Sequence, residues 1–564
     1  RRSGFDERRP EWLDGDVFDA RAPGRAALLA DRLATRLLGL PGARTGYTRR
    51  EERTPMRDGV VLLGEHYVPE TAHSLGTVLT RTPYGRINPF DVTSARVLAA
   101  RGYHVLVQSC RGTFGSGGTF DPFSADVDDA HDTVAWLREQ EWFDGRLATS
   151  GGSYLGWTQW ALMADPPPEL KAAVVVVGPH DIADAVYGSG AFTLADFLGW
   201  SNMISRQEDH DGFLGGIAAR IAGARRVTAA YGELPLGAAA ERLTDGRAPW
   251  YPQWVAHPDT DAAYWASRKA REALDKAEIP ILLIGGWQDL FLRHTVEQYD
   301  TLHGRGADVA MTVGPWVHLH TATIGAPTIA RETLAWFDEN LAGATGRTRP
   351  APVRIHVTGA GEWRELPEWP PLTVTSTRVL GPGGALRTEG TDAAGPLATF
   401  RYDPSDPTPS VGGRRLDGAA GVRDNQDLEA RADVVTFTTE PLPTDLEVIG
   451  VPVVELEHAT DNPHADVFVR LCDVDVTGRS FNFSDALVRL DPAGEPGTLR
   501  IALDPCAHRL DAGHRLRLLV AGGAHPRWAR NTGTGEPPAE ARGLKPSTHT
   551  VRGGRLMLPV ATAG

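Results

Sequence analysis

The stretch Ala148-Thr149-Ser150-Gly151-Gly152-Ser153-Tyr154-Leu155-Gly156 decides how this chain is read. It follows a short apolar run that reads as a strand over 147–150 and opens a run that reads as a helix over 154–165, stopped by Pro166, Pro167 and Pro168. A serine on a sharp strand-to-helix turn, with small neighbours that let the backbone close, has its hydroxyl pushed outward, as a nucleophile requires. Ser153 has Gly151 two residues before it, whereas Ser150 follows Ala148 and lies inside the strand, so Ser153 is the better candidate. The generic Gly-x-Ser-x-Gly spacing is half met, because Leu155 occupies the second position after the serine and Gly156 comes one later. A plain glycine-rich turn remains open on this feature alone.

Working outward, residues 50–180 alternate strand-like and helix-like runs. Strands are expected over 60–67, 77–81, 103–108, 147–150 and 172–177, with helices over 95–101 and 130–140 besides the one at 154. That rhythm is the one a parallel sheet with crossover helices requires. After Gly178 the pattern is helical for about 100 residues, over 194–206, 212–231, 238–243 and 261–276, and a strand resumes at 279–284. An all-helical block between two sheet strands reads as an insertion over the strand ends, where open α/β sheets bind ligands. Beyond a last helix at 331–341 the runs become short and alternating, 353–357 and 373–380 among them, bounded by Gly, Pro and Asp. They predict an all-β domain, sandwich or jelly roll by strand count. The expected organisation is an N-terminal helical extension over 1–50, an α/β core over 51–178 and 279–345, a helical cap over 179–278, and a β domain over 350–564.

Within the extension, residues 23–40 carry Leu28, Leu29, Leu33, Leu37 and Leu38 among arginines and an aspartate, an apolar stripe of helical period. It reads as an amphipathic helix docked on the main domain, and its interspersed charges argue against a signal peptide. A cytoplasmic location is the expectation. The chain of 564 residues is too long for one core. Its 58 basic and 72 acidic side chains give 58 − 72 = −14 without a basic cluster, which excludes a nucleic-acid footprint. No apolar run approaches the roughly 18–20 residues of a membrane span. Cys110, Cys472 and Cys506 lie far apart and form no zinc-knuckle spacing.

A serine is a weak nucleophile until a histidine takes its proton, and that histidine must be oriented by a carboxylate. In α/β-hydrolases the acid and the histidine follow the serine on loops after later strands. After the strand at 279–284 comes Gly285-Gly286-Trp287-Gln288-Asp289, and after 309–313 comes Gly314-Pro315-Trp316-Val317-His318. Position lifts Asp289 and His318 above other acids and above His294, His303 and His320. An oxyanion needs two donors. The backbone N–H of Tyr154 is one, and Tyr84, in the post-strand loop Arg81-Thr82-Pro83-Tyr84-Gly85, is a candidate for the other. Other patterns fail. Arg111 to Gly118 lacks the lysine of a phosphate loop, and Asp126-Val127-Asp128-Asp129-Ala130-His131 has His131 where a calcium loop needs Gly. Those acids read instead as the favoured start of a helix. No metal site and no cofactor are expected.

These motifs together resemble the cocaine-esterase (CocE/NonD) hydrolases, related to X-Pro dipeptidyl-peptidases and α-amino-acid ester hydrolases. Gly151 to Trp160 is similar to the family's nucleophile motif, where the glycine stands at the position of Gly156. Gly286 to Asp289, Gly314 to His318 and Arg81 to Gly85 are similar to its acid, histidine and oxyanion-tyrosine motifs. The stretches at 363–371, 424–433 and 526–531 are similar to its C-terminal domain. The resemblance runs from about residue 50 to the C-terminus. It implies an α/β-hydrolase core with an inserted helical cap and a C-terminal jelly-roll β-sandwich domain. It also implies a triad of Ser153, Asp289 and His318, an oxyanion hole of Tyr84 and Tyr154, and substrate contacts from Trp200, Phe291 and Trp157. The implied function is hydrolysis of carboxylic esters through an acyl-enzyme. An X-Pro dipeptidyl-peptidase, an amide hydrolase or a transacylase on the same fold stays open, as does a non-catalytic binding protein. The partner is a small-molecule ester or amide, with no nucleic acid and no membrane, and a homo-oligomer is left open.

Overall fold

The computed structural model describes residues 21–209, 223–346, 349–389, 395–490, 492 and 497–561. Ten strands build the core sheet: β1 (Tyr47–Pro55), β2 (Val61–Pro69), β3 (Thr77–Thr82), β4 (His104–Ser109), β5 (Leu147–Gly152), β6 (Leu170–Val176), β7 (Ile281–Gln288), β8 (Val309–Val317), β9 (Val353–Val357) and β10 (Glu362–Leu366). Their order is 1-2-4-3-5-6-7-8-9-10. The strands from β4 across to β9 run parallel, while β1, β2 and β10 add antiparallel edges. The central strands are near-continuous apolar runs because helices cover both faces. One face packs on helix α3 (Asp126–Arg138) and helix α4 (Tyr154–Met163), the other on helix α2 (Pro89–Ala99) and the helix Ala326–Asn340. Three acids occupy the first turn of α3, where the helix dipole favours them.

Three expectations about the ends of the sheet are corrected. Strand β1 begins inside the span assigned to a helical extension. It was invisible to hydrophobic patterning because Arg49, Arg50, Glu51, Glu52 and Arg53 fill it; charge of this kind is how an edge strand avoids further pairing. Helix α1 (Arg25–Leu37) forms as expected, but its stripe faces outward: Leu29, Leu33 and Leu37 are 64, 58 and 67% exposed. It docks by polar bonds instead. Asp31 accepts from Tyr47 Oη at 2.8 Å and pairs with Arg96 at 2.8 Å. Residues 1–20 of the expected extension lie outside the described residues. Strand β9, read as part of the β domain, pairs parallel with β8 through Met311–Val353 and Val313–Ile355. The helix Ala326–Asn340 before it is the crossover of a βαβ unit, so Val353, Ile355 and Val357 bury in the core sheet. A five-residue alternating strand does not reveal which sheet it joins.

Between β6 and β7 lies the cap, which contains helices α5 (Ile182–Tyr187) and α6 (Leu194–Ile204), then Leu236–Thr244 and Trp250–Ala256. The helix expected over 212–231 lies partly outside the described residues; 223–230 is helical. The one expected over 261–276 is broken into Ala263–Arg268 and Glu272–Lys276, because Lys269 is extended and bridges to Asp181. The remaining twelve described strands, Thr373–Gly381 through Ser547–Ala561, form a second sheet that curls around its own core. Inward residues of the paired neighbouring strands Ala465–Val474 and Arg515–Ala521, such as Val467, Val469, Leu518 and Val520, alternate along them as a sandwich requires. This is the jelly-roll domain. Ile449, Ala507 and Ala529 of this domain join the apolar cluster of the α/β core, so the two domains share one packed interface.

Candidate active site

Ser153 stands between β5 and α4 with φ 61° and ψ −122°, a conformation that costs a non-glycine residue about 1–3 kcal/mol. Its neighbours make the turn feasible. A Cβ on Gly151, whose φ is +153°, would lie 2.4 Å from Leu155 Cβ. On Gly156 it would lie 2.5 Å from the Cα of Gly178, just past the end of β6, so helix and strand end approach backbone to backbone. Close approach needs glycine at 156, and the side chain of Leu155 is free to pack in the core; this explains the half-met spacing.

Asp289 and His318 follow the adjacent parallel strands β7 and β8 and therefore meet at the same sheet edge. His318 Nδ1 lies 2.5 Å from Asp289 Oδ2, so Nδ1–H donates to the carboxylate and Nε2 is left as the acceptor. The other carboxylate oxygen accepts from the Phe291 N–H at 2.8 Å. Asp289 has no solvent exposure. Ser153, His318, Tyr84, Phe291 and Trp200 line one cavity of ≈ 30 Å³.

Tyr84 lines the cavity with Ser153, and its oxygen accepts from Trp200 Nε1 at 3.1 Å. Burial pushes the phenol up to about 12 against the pull of Trp200 and Ser153, so it stays protonated at neutral pH. With Trp200 occupying a lone pair, the Tyr84 proton is left to point at an oxygen near Ser153. The Tyr154 N–H, at the first position of α4, has no intrahelical partner by geometry and faces the same space. The Tyr154 ring is clamped below: its hydroxyl donates to Asp126 Oδ2 at 2.8 Å and accepts from the Phe123 N–H at 2.9 Å.

Trp157 does not contact the cavity, contrary to the expectation. It is fully buried one turn into α4, donating from Nε1 to Asp126 Oδ2 at 3.2 Å and meeting Phe123 edge-on. Its work is beneath Tyr154. The sequence marks Asp126 only as a helix-start acid; the structure adds its part under the turn. No motif points to Asp196. It lies four residues before Trp200 on α6, hence on the same helical face, and lines the cavity. Burial pushes its carboxyl up to about 6 while Oδ1 accepts from the Leu416 N–H at 2.7 Å. Among the described residues no cluster of His, Cys, Asp and Glu is arranged to hold a metal ion.

A strained serine turn, a buried carboxylate–imidazole pair and a tyrosine donor facing one cavity are the parts of a serine hydrolase. Comparison with known proteins agrees. Residues 58–320 match the family model described as X-Pro dipeptidyl-peptidase (S15 family), and 345–555 the model described as X-Pro dipeptidyl-peptidase C-terminal non-catalytic domain. The cocaine esterase of Rhodococcus sp. (strain MB1 Bresler) is 33% identical over 539 residues, which is 85% of this chain and 92% of that protein. The chain belongs to the cocaine-esterase family of hydrolases. It is a serine hydrolase with an α/β-hydrolase core and a jelly-roll C-terminal domain. The fold recurs in an aminopeptidase from a marine-sediment Thaumarchaeota archaeon, with a TM-score of 0.78 and 24% identity, covering 93% of this chain and 98% of that one. It recurs also in an α-amino-acid ester hydrolase, with a TM-score of 0.76 and 22% identity over the same shares. Among the described residues no helix is long and apolar enough to cross a membrane.

Proposed function

We propose that the chain hydrolyses carboxylic esters of small molecules through an acyl-enzyme on Ser153. The observation that carries this reading is the positive-φ serine in one cavity with a histidine already bonded to a buried aspartate. Ser153 Oγ attacks the ester carbonyl as His318 Nε2 takes its proton. Asp289 holds the ring in that tautomer and stabilises the imidazolium. Tyr84 Oη and the Tyr154 N–H receive the oxyanion, and His318 returns the proton to the leaving alkoxide. Water, activated by the same histidine, then releases the acid. Phe291, Leu290 and Trp200 make an apolar wall suited to an aryl or alkyl acyl group.

A fluorophosphonate should label wild-type protein at Ser153 and leave Ser153→Ala untouched, and that variant should lose on the order of 10⁶-fold in kcat. Equal labelling of the variant would sink the assignment. One observation favours a second reading, hydrolysis of amino-acid esters or X-Pro peptides. Asp196 places a buried carboxyl among aromatic rings, where a substrate ammonium would be paired. A panel of p-nitrophenyl esters against aminoacyl esters and X-Pro anilides, run on wild type and Asp196→Asn, separates the two. Under the second reading the variant loses only the amine-bearing substrates.

A further inference from the structure

We infer that the C-terminal β domain sets the position of the catalytic acid, with Arg414 as the positioning residue. The inference rests on the proposed role of Asp289. Arg414 Nη1 donates to the Leu290 carbonyl at 2.9 Å. That carbonyl and the Phe291 N–H belong to one planar peptide group, and the Phe291 N–H is the donor to Asp289 Oδ1. The bonds run without a break: Arg414 to the 290–291 peptide, the peptide to Asp289, and Asp289 to His318. Fixing the carbonyl end of a planar group fixes the direction of its N–H. A guanidinium on the carbonyl also polarises the peptide and strengthens the bond at its other end.

The rest of the loop is held from the same side. Gln288 Nε2 donates to the Phe483 carbonyl at 3.2 Å. Arg293, at the start of the helix Leu292–Gly304, donates to Asp504 Oδ1 at 2.7 Å, and Arg414 Nε bonds to the other oxygen of Asp504. One buried carboxylate thus joins an arginine from each domain. Two residues past Arg414, the Leu416 N–H reaches Asp196 on the cap. The segment 414–416 therefore spans acid loop and cap, and Leu416 itself lines the cavity. The β domain gives the triad no side chain, yet it supports the peptide on which the acid rests.

The test is a double-mutant cycle on the full chain with a good ester. Arg414→Gln should lower kcat about 10- to 100-fold, as loss of supporting bonds around a reacting group does, with KM moving less than about 3-fold. Arg414→Lys should recover part of the loss. In an Asp289→Asn background, Arg414→Gln should add less than about 3-fold, because the chain through which it acts is already broken. The inference is overturned if kcat is unchanged, if the loss sits in KM, or if the same factor is lost in both backgrounds, which is how a merely structural arginine behaves. Should Arg414→Gln fail to fold by circular dichroism, the cycle is run with Arg414→Lys, which keeps the charge beside Asp504. Full activity in Asp289→Asn alone would defeat the triad reading; loss there with none in Arg414→Gln would defeat only this inference.

Discussion

The turn that carries Ser153 is shaped by Gly151, Leu155 and Gly156, with Gly178, just past the end of β6, as a farther partner. The loop that carries Asp289 is held by Arg414, Phe483 and Asp504, from a domain built much later in the chain. Ser153 lines the cavity directly, whereas Asp289 sits behind it, bonded to His318 on its wall. The first does so by backbone sterics, which any strand–turn–helix with these residues reproduces. The second depends on tertiary contacts, and so on the docking of two domains. A nucleophile needs a fixed, exposed oxygen, which a strained turn supplies. An orienting acid needs a buried carboxylate with its remaining lone pairs satisfied, which requires donors from several directions.

Four experiments bear on this contrast. The largest effect should come from the acid: Asp289→Asn, which forces the wrong histidine tautomer, should cost about 10⁴-fold in kcat with the fold intact. A loss under about 10-fold would mean that the acid loop matters less than its clamps suggest. Next, Tyr84→Phe should cost about 2.7–4 kcal/mol of transition-state stabilisation, read from kcat/KM, since it removes one oxyanion donor and leaves both loops in place. Unchanged kcat/KM would remove Tyr84 from the mechanism.

Gly156→Ala tests the local half of the contrast. Its Cβ would meet the backbone at Gly178, so overpacking should lower stability by about 1–3 kcal/mol in a denaturant melt. A melt as stable as wild type would show that the turn tolerates what its geometry forbids. The last experiment concerns the β domain that clamps the acid. His458 Nε2 and His549 Nδ1 lie 3.0 Å apart in its core, with Ser547 2.9 Å from the other nitrogen of His549. Burial lowers them to about 4 and about 3. Their unfolded pKa is about 6.5, so below that value the unfolded chain binds the protons first. Stability should therefore be full above about pH 6.5 and fall as pH drops toward 4, by up to about 1.4 kcal/mol per pH unit per histidine. A denaturant midpoint that is flat between pH 7 and pH 4.5 would contradict it.

The same contrast explains what the sequence made legible. The serine turn, the two post-strand loops and the oxyanion loop are short-range patterns, and all four converge on one cavity. Trp157 was misplaced because a motif gives spacing along the helix and not the face on which a neighbour lies; Asp126, which holds it, is set by the packing of α3. Asp196 and Arg414 stand in no motif, and their meaning comes from what faces them. Strand β1 escaped because an edge strand full of charge has no apolar period to read. Strand β9 was seen but given to the wrong sheet, since pairing partners are a tertiary property.

Order of synthesis gives the clamps on the acid loop a further consequence. Ser153, Asp289 and His318 all leave the ribosome before Arg414, Phe483 and Asp504 have been made. A nascent chain with a finished core thus holds the side chains of the proposed triad while the Leu290 carbonyl still lacks its guanidinium. On that arrangement the enzyme matures from its C-terminal end. A chain stalled or cut before Arg414 keeps Ser153, Asp289 and His318 but lacks the guanidinium that holds the 290–291 peptide.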